Sequence, residues 1–287
     1  MPIFVRRFRK ISAVAALCTA ALAMPVPAQS PALPPSAQAG EATYADLADL
    51  ADSAQLVVHV RVRRQVEVEP ARAPGLAPGF ARLYVEAETV ALLSGNVPVG
   101  AALSYLVDVP RDAAGRPPKL KKLEFVLFAK AVPGRAGELQ LVDPTAQLAW
   151  SPAFEARLRP VMTGLIAADA MPAVLGVRDA LSVEGNLVGE SETQLFLATR
   201  DDSPLSITVV RRPNMAPSWG VSQSEIVDQS ARPPAPETIG WYRLACFLPR
   251  ALPREANLAS DAASRRRAEQ DYAFILDRLG PCERNRS

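Results

Sequence analysis

What most limits how this chain can fold is its punctuation by proline. The chain carries 27 prolines in 287 residues. Each fixes φ and removes a backbone donor, so long uninterrupted helices are disfavoured. Between the prolines, apolar residues repeatedly follow a period of two. Val58, Val60 and Val62 alternate with His59, Arg61 and Arg63, and Val66 and Val68 resume the pattern after a bulge at Arg64-Gln65. Alternation of this kind, interrupted by turns, predicts a β-rich and mainly antiparallel fold.

Along the chain, Thr43 caps a short helix, with Asp46 in the capping-box position and Leu47, Leu50 and Ala54 on one apolar face. The alternating strand follows, then a Pro/Gly-rich loop over Pro70 to Gly79. Further strands are predicted at Leu83 to Leu93, Ala102 to Val109, Leu123 to Ala129 and Glu138 to Val142. A long bent first strand followed by short ones predicts a small, partly closed antiparallel barrel over residues 43–148. A second, α+β unit is expected over residues 151–283. Ser151 and Pro152 start a helix there, which Pro160 should kink or restart. Strands at Ala173 to Val183, Thr193 to Thr199, Leu205 to Arg211 and Trp219 to Ile226 are joined by short turns, which favours an antiparallel meander. Helices close the chain: one over Pro236 to Leu248, then one capped by Ser260, striped by Ala268, Tyr272, Ile275 and Leu279, and stopped by Gly280-Pro281.

The first ~28 residues have the composition of a secretory signal peptide. Arg6, Arg7, Arg9 and Lys10 form a positive start, Ile11 to Met24 is uncharged and apolar, and Val26-Pro27-Ala28 offers a cleavage site after Ala28. Cys18 lies within the apolar run and follows Leu17, a poor match to a lipoprotein site. Residues 29–42 are expected to be a flexible leader, and no transmembrane segment is expected after cleavage. Removing four positive charges from a chain of net +2 leaves −2, so bulk charge gives no support for nucleic-acid binding. Two cysteines then remain, Cys246 and Cys282, and an even pair in an exported chain predicts a disulfide. Its closed loop of about 36 residues would contribute on the order of 3 to 4 kcal/mol in the chain-entropy model.

Two stretches resemble known families. "ADSAQLVVHVRV", "ARLYVEAETVALLSG" and "KLEFVLFAK" resemble exported OB-fold domains of the netrin/TIMP-like group, which implies an OB-like barrel over about residues 45–145. The inhibitory cysteine at the mature N-terminus of TIMP-type domains has no counterpart here, so that activity is not implied. "GESETQLFLATRDDSPLSITVVRRP", "WGVSQSEIVDQSARPP" and "WYRLACFLP" resemble an uncharacterised family of exported Gram-negative bacterial proteins. That likeness implies the periplasm or secretion, and no activity.

Chemistry-bearing motifs are sparse. The only histidine, His59, occupies a polar position of an alternating strand, which predicts a surface or rim location and not a catalytic triad. Gly220-Val221-Ser222-Gln223-Ser224 lacks the last glycine of a nucleophile elbow. Phosphate-binding, dinucleotide-binding and H-E-x-x-H patterns do not occur. No cofactor is called for, and a zinc site would have to recruit carboxylates. Glu190 and Glu192 flank Ser191 at a strand start and could share one face as an acid/base pair. The charge groups Lys119-Lys121-Lys122, Arg211-Arg212 and Arg265-Arg266-Arg267 are expected on solvated faces. Trp219, Trp241 and Tyr242 are candidate binding residues, because aromatics are scarce here and tryptophan is enriched in binding hot spots. The expectation is a non-catalytic module that binds a cell-envelope protein or small ligand. The rival readings are a carboxylate-dependent envelope hydrolase acting on glycan or peptide, and an assembly accessory with an apolar client groove.

Overall fold

Period-two alternation builds two sheets, and helices close over each. A computed structural model describes Met1, residues 41–224 and residues 231–286. The signal peptide, the cleavage site after Ala28, nearly all of the leader and Ile226 lie outside the described residues.

Helix α1 (Tyr44–Ser53) begins with the expected capping box: Thr43 accepts from the Asp46 N–H, and Asp46 accepts from the Thr43 N–H. The barrel strands are β1 (Leu56–Glu67), β2 (Phe80–Gly95), β3 (Ala102–Pro110), β4 (Glu124–Ala131) and β5 (Glu138–Leu141), with a short β6 (Gln147–Ala149) beside β4. Their order is β1-β2-β3-β5-β4, and β1 also pairs with β4, so the sheet closes into an OB-like barrel. All pairings are antiparallel except β3 with β5. β1 reaches both neighbours by bending, with register shifts at Val57/Val58, His59/Val60 and Val62/Arg64.

Val58, Val60, Leu83, Val85, Tyr105, Val107 and Leu127 are buried in the barrel core. The opposite faces of β1 and β4 are also buried at Val57, His59, Val126 and Phe128. Helix α1 and helix α2 (Pro152–Leu165) contribute Leu47, Leu50, Leu158, Val161 and Met162 to the same core. α2 runs unbroken through Pro160, contrary to the expected kink or restart. Pro160 and Ala156 are both exposed, so the Ala156 carbonyl that proline leaves unbonded faces water.

The second sheet is an antiparallel meander of β7 (Val174–Glu184), β8 (Ser191–Thr199), β9 (Ser206–Arg211) and β10 (Ser218–Ser222). β8 alternates cleanly, burying Thr193, Leu195 and Leu197 toward helix α4 (Ala262–Leu279), whose Ala268, Tyr272, Ile275 and Leu279 face them. The α4 cap is Asp261, one residue later than expected. Its carboxylate accepts from both Ala263 and Ser264 N–H groups, which a serine hydroxyl matches less well. Helix α3 (Ile239–Ala245), capped by Thr238, supplies Tyr242 to the barrel core and Leu244 to the sheet core. Cys246 and Cys282 form the expected disulfide, with Cα atoms 5.1 Å apart. Among the described residues, no helix is long and apolar enough to cross a membrane.

Candidate binding groove

The barrel has one weak seam. β3 and β5 pair in parallel at only two positions, Ser104 with Glu138 and Tyr105 with Leu139. Beyond them the strands part, until the Asp108 N–H reaches the Pro144 carbonyl at 2.7 Å. Beneath the opening the Tyr105 hydroxyl donates to Gln147 at 2.6 Å, and burial pushes its pKa far above the usual phenol value. Over the opening runs a groove of about 630 Å³.

Alternation on β2 and β3 decides what faces this groove. Arg82 pairs across the strands with Asp108, and Tyr84 with Leu106. Arg82 grips Asp108 through two bonds of 2.7 and 2.8 Å and also donates to the Pro74 carbonyl. Tyr84 and Leu106 remain 40% and 48% exposed, so the sheet presents an aromatic and an aliphatic surface beside a fixed ion pair. The far wall carries the Arg135–Glu138 pair, Gln140 and Asp143. Asp143 accepts from the Thr145 N–H and hydroxyl. A second cleft of about 390 Å³ shares Asp108, Asp143 and Pro144 with the groove and continues it toward Asp46, Asp49 and Arg286. Apolar surface with fixed polar groups beside it suits ligand binding. The charged groups here are already paired.

His59, expected at a surface or rim, is instead buried. Its strand is covered on both sides, so the polar phase of the alternation lies under Trp150 and not in water. The His59 and Trp150 rings stack with centroids 4.4 Å apart, and His59 Nε2 donates to Glu124 at 2.8 Å. Glu124 also accepts twice from Arg61. Partial burial pushes the Glu124 carboxyl up, but the bonds from Arg61 and His59 outweigh it and hold the group below the usual range. Trp150 donates in turn to Glu155, which lowers that carboxyl as well. The histidine is thus engaged in joining the barrel wall to α2.

Glu190 folds back over its own hairpin and accepts from the Leu187 N–H, while Glu192 accepts from Gln194. Each carboxylate has a local partner. Trp219 is buried in the sheet core. Tyr242 is buried in the barrel core, where its hydroxyl donates to Asp49 and burial raises its pKa strongly. Trp241 touches both cores, meets Tyr44 edge-on and donates to the Leu279 carbonyl. Tyr44 has its pKa raised to about 12, by burial and then by the charge of Glu237. Among the described residues, no group of three or more His, Cys, Asp or Glu side chains is placed to hold a metal.

The groove brings together residues that the sequence reading did not single out. One signal was available: Tyr84 is an aromatic at the polar phase of a strand, between Arg82 and Glu86. No protein-family model and no curated protein matches the chain.

Proposed function

We propose that this chain is a non-catalytic binding module of the Gram-negative cell envelope, exported by its N-terminal signal, with the β2–β3–β5 groove as its ligand site. The observation that carries this reading is the pairing of exposed Tyr84 and Leu106 with a pre-formed Arg82–Asp108 ion pair over an open seam. The ligand is an envelope protein segment or a small molecule with both apolar and hydrogen-bonding surface. Export is supported by the composition of residues 1–28 and fits the disulfide.

The test is crosslinked capture from host cell envelope with protein starting at Gln29. It compares the native chain with Tyr84→Ser combined with Leu106→Ser, and with Glu190→Gln. A partner or ligand lost only in the groove double variant supports the proposal. Retention by that variant sinks the groove assignment. Turnover of an envelope glycan or peptide that vanishes with Glu190→Gln would favour the hydrolase reading.

A further inference from the structure

Beyond Gly280 the chain runs as an irregular strap over α1, with a bend at Asn285, and its contacts differ in kind from those of the rest of the fold. Residues Glu283, Arg284, Asn285 and Arg286 include no apolar side chain. They are held by polar contacts alone. Arg284 pairs with Asp49 at 2.6 Å. The backbone N–H groups of Asn285 and Arg286 donate to the two oxygens of Asp46. Arg286 donates to the carbonyl and hydroxyl of Thr145 and stands 3.8 Å from Asp143, while its buried Nε has no partner. The seat fits a guanidinium without satisfying it fully.

We propose that this strap is a releasable ligand in cis. It fills a site on α1 and the barrel rim that accepts a segment of a partner bearing two arginines two residues apart, and the Cys246–Cys282 disulfide is the latch. Charge complementarity fixes the occupant: Asp49 pairs with Arg284 and Asp143 stands near Arg286, while Asp46 takes the backbone N–H groups of Asn285 and Arg286 at the bend between the two guanidinium groups. The disulfide anchors the strap at Cys282, immediately before it. Arg284 Nη1 lies 3.2 Å from Cys282 Sγ, where its charge stabilises a departing thiolate. The pivot is Gly280, whose φ of 72° suits glycine and whose preceding carbonyl is pinned by Trp241.

Release requires a dithiol reductant. One of its thiolates attacks Cys246 Sγ and expels the Cys282 thiolate, which takes up a proton. The second thiol then displaces Cys246, leaving the reductant as a disulfide and both cysteines as thiols. Two electrons and two protons pass from the dithiol to the protein. The inference does not depend on what the groove binds.

The experiment uses the full chain, oxidised and after treatment with dithiothreitol. Amide exchange is followed by mass spectrometry, and binding by titration with an acetylated peptide copying residues 283–286 or the same peptide with both arginines replaced by alanine. Reduction should speed exchange in residues 43–50 and 283–286 while leaving β8 and β9 protected. The reduced protein should bind the arginine peptide at least ~10-fold tighter than its alanine control, and the oxidised protein should bind neither. A full-length Arg284→Ala, Arg286→Ala variant with its disulfide intact should bind the arginine peptide without reductant. The proposal is overturned if strap exchange ignores reduction, if α3, α4 and the sheet loosen together with the strap, or if neither opened form prefers the arginine peptide.

Discussion

The closed barrel and the open sheet under α4 bury similar aliphatic side chains but treat polar groups differently. Inside the barrel wall, Tyr105 with its bond to Gln147 is a rare polar side chain among valines and leucines. Between the sheet and α4 lies fully buried Asp271, bonded to Arg211 at 2.6 Å and to Thr193. Thr193 meets Ser182, which also receives a bond from Arg267. Arg211 and Arg267, expected on solvated faces, are therefore parts of this network; Asp271 reaches Arg211 from α4 across 60 residues of sequence, and no local spacing announces that contact. A barrel fixes its geometry by closing on itself, since any slip of register breaks the seam. A helix lying on an open sheet has no such constraint, and a buried ion pair between the two layers supplies one by penalising other placements.

The largest expected effect tests that idea. Asp271→Ala leaves Arg211 and Thr193 without their acceptor and should cost about 3 to 5 kcal/mol in urea unfolding. Replacing Asp271 and Arg211 together by Leu and Met should recover most of that loss while broadening side-chain NMR signals from α4. Undiminished signal dispersion would show that the pair does not set the helix position. In the barrel, Leu127→Ala should cost about 3 kcal/mol by the same measurement, because its surroundings cannot collapse freely within a closed sheet.

A smaller effect appears on the acid side of the barrel. Glu124 has a depressed folded pKa, so the stability it contributes is present above the ordinary carboxylate value and is lost as pH falls through the depressed one. Glu124→Gln should remove this part of the acid limb, giving a flatter stability curve below about pH 5 in thermal melts across pH. An unchanged limb would place the acid sensitivity elsewhere. Smallest of all, Tyr84→Ser should leave stability within about 0.5 kcal/mol of the native chain while abolishing ligand capture. A large loss of stability would make Tyr84 part of the fold and not of the site.

Much of the fold was legible because it depends on local pattern. The capping box at Thr43, the alternation of β8 and the stripe of α4 each lie within a few consecutive residues. The barrel strands fall where the alternation placed them, give or take a few terminal residues. The failures share a different cause. His59 obeys the alternation and is still buried, because Trp150 covers it from 91 residues away in sequence. β6 is three residues long and exists only beside β4. The groove arises where β3 and β5, which are not consecutive strands, meet in parallel and then separate. Glu190 and Glu192 looked like a pair by spacing, but the turn between β7 and β8 draws one of them back onto itself. Sites made from strand crossings leave no periodic mark in a sequence.

The three aspartates of α1 have a consequence for the order of assembly. Asp46, Asp49 and Asp52 stand at every third position, and their distant partners are Asn285 and Arg286, then Tyr242 and Arg284, then Arg243. A chain made from its N-terminus produces this helix long before any of those partners exist. Until they arrive, the acidic face stays hydrated and the helix lacks its second layer. Completion of the polar contacts of α1 is therefore a late and non-local event. A chain interrupted anywhere short of α3 would keep that face open, so the acidic side of α1 reports on whether synthesis has passed α3.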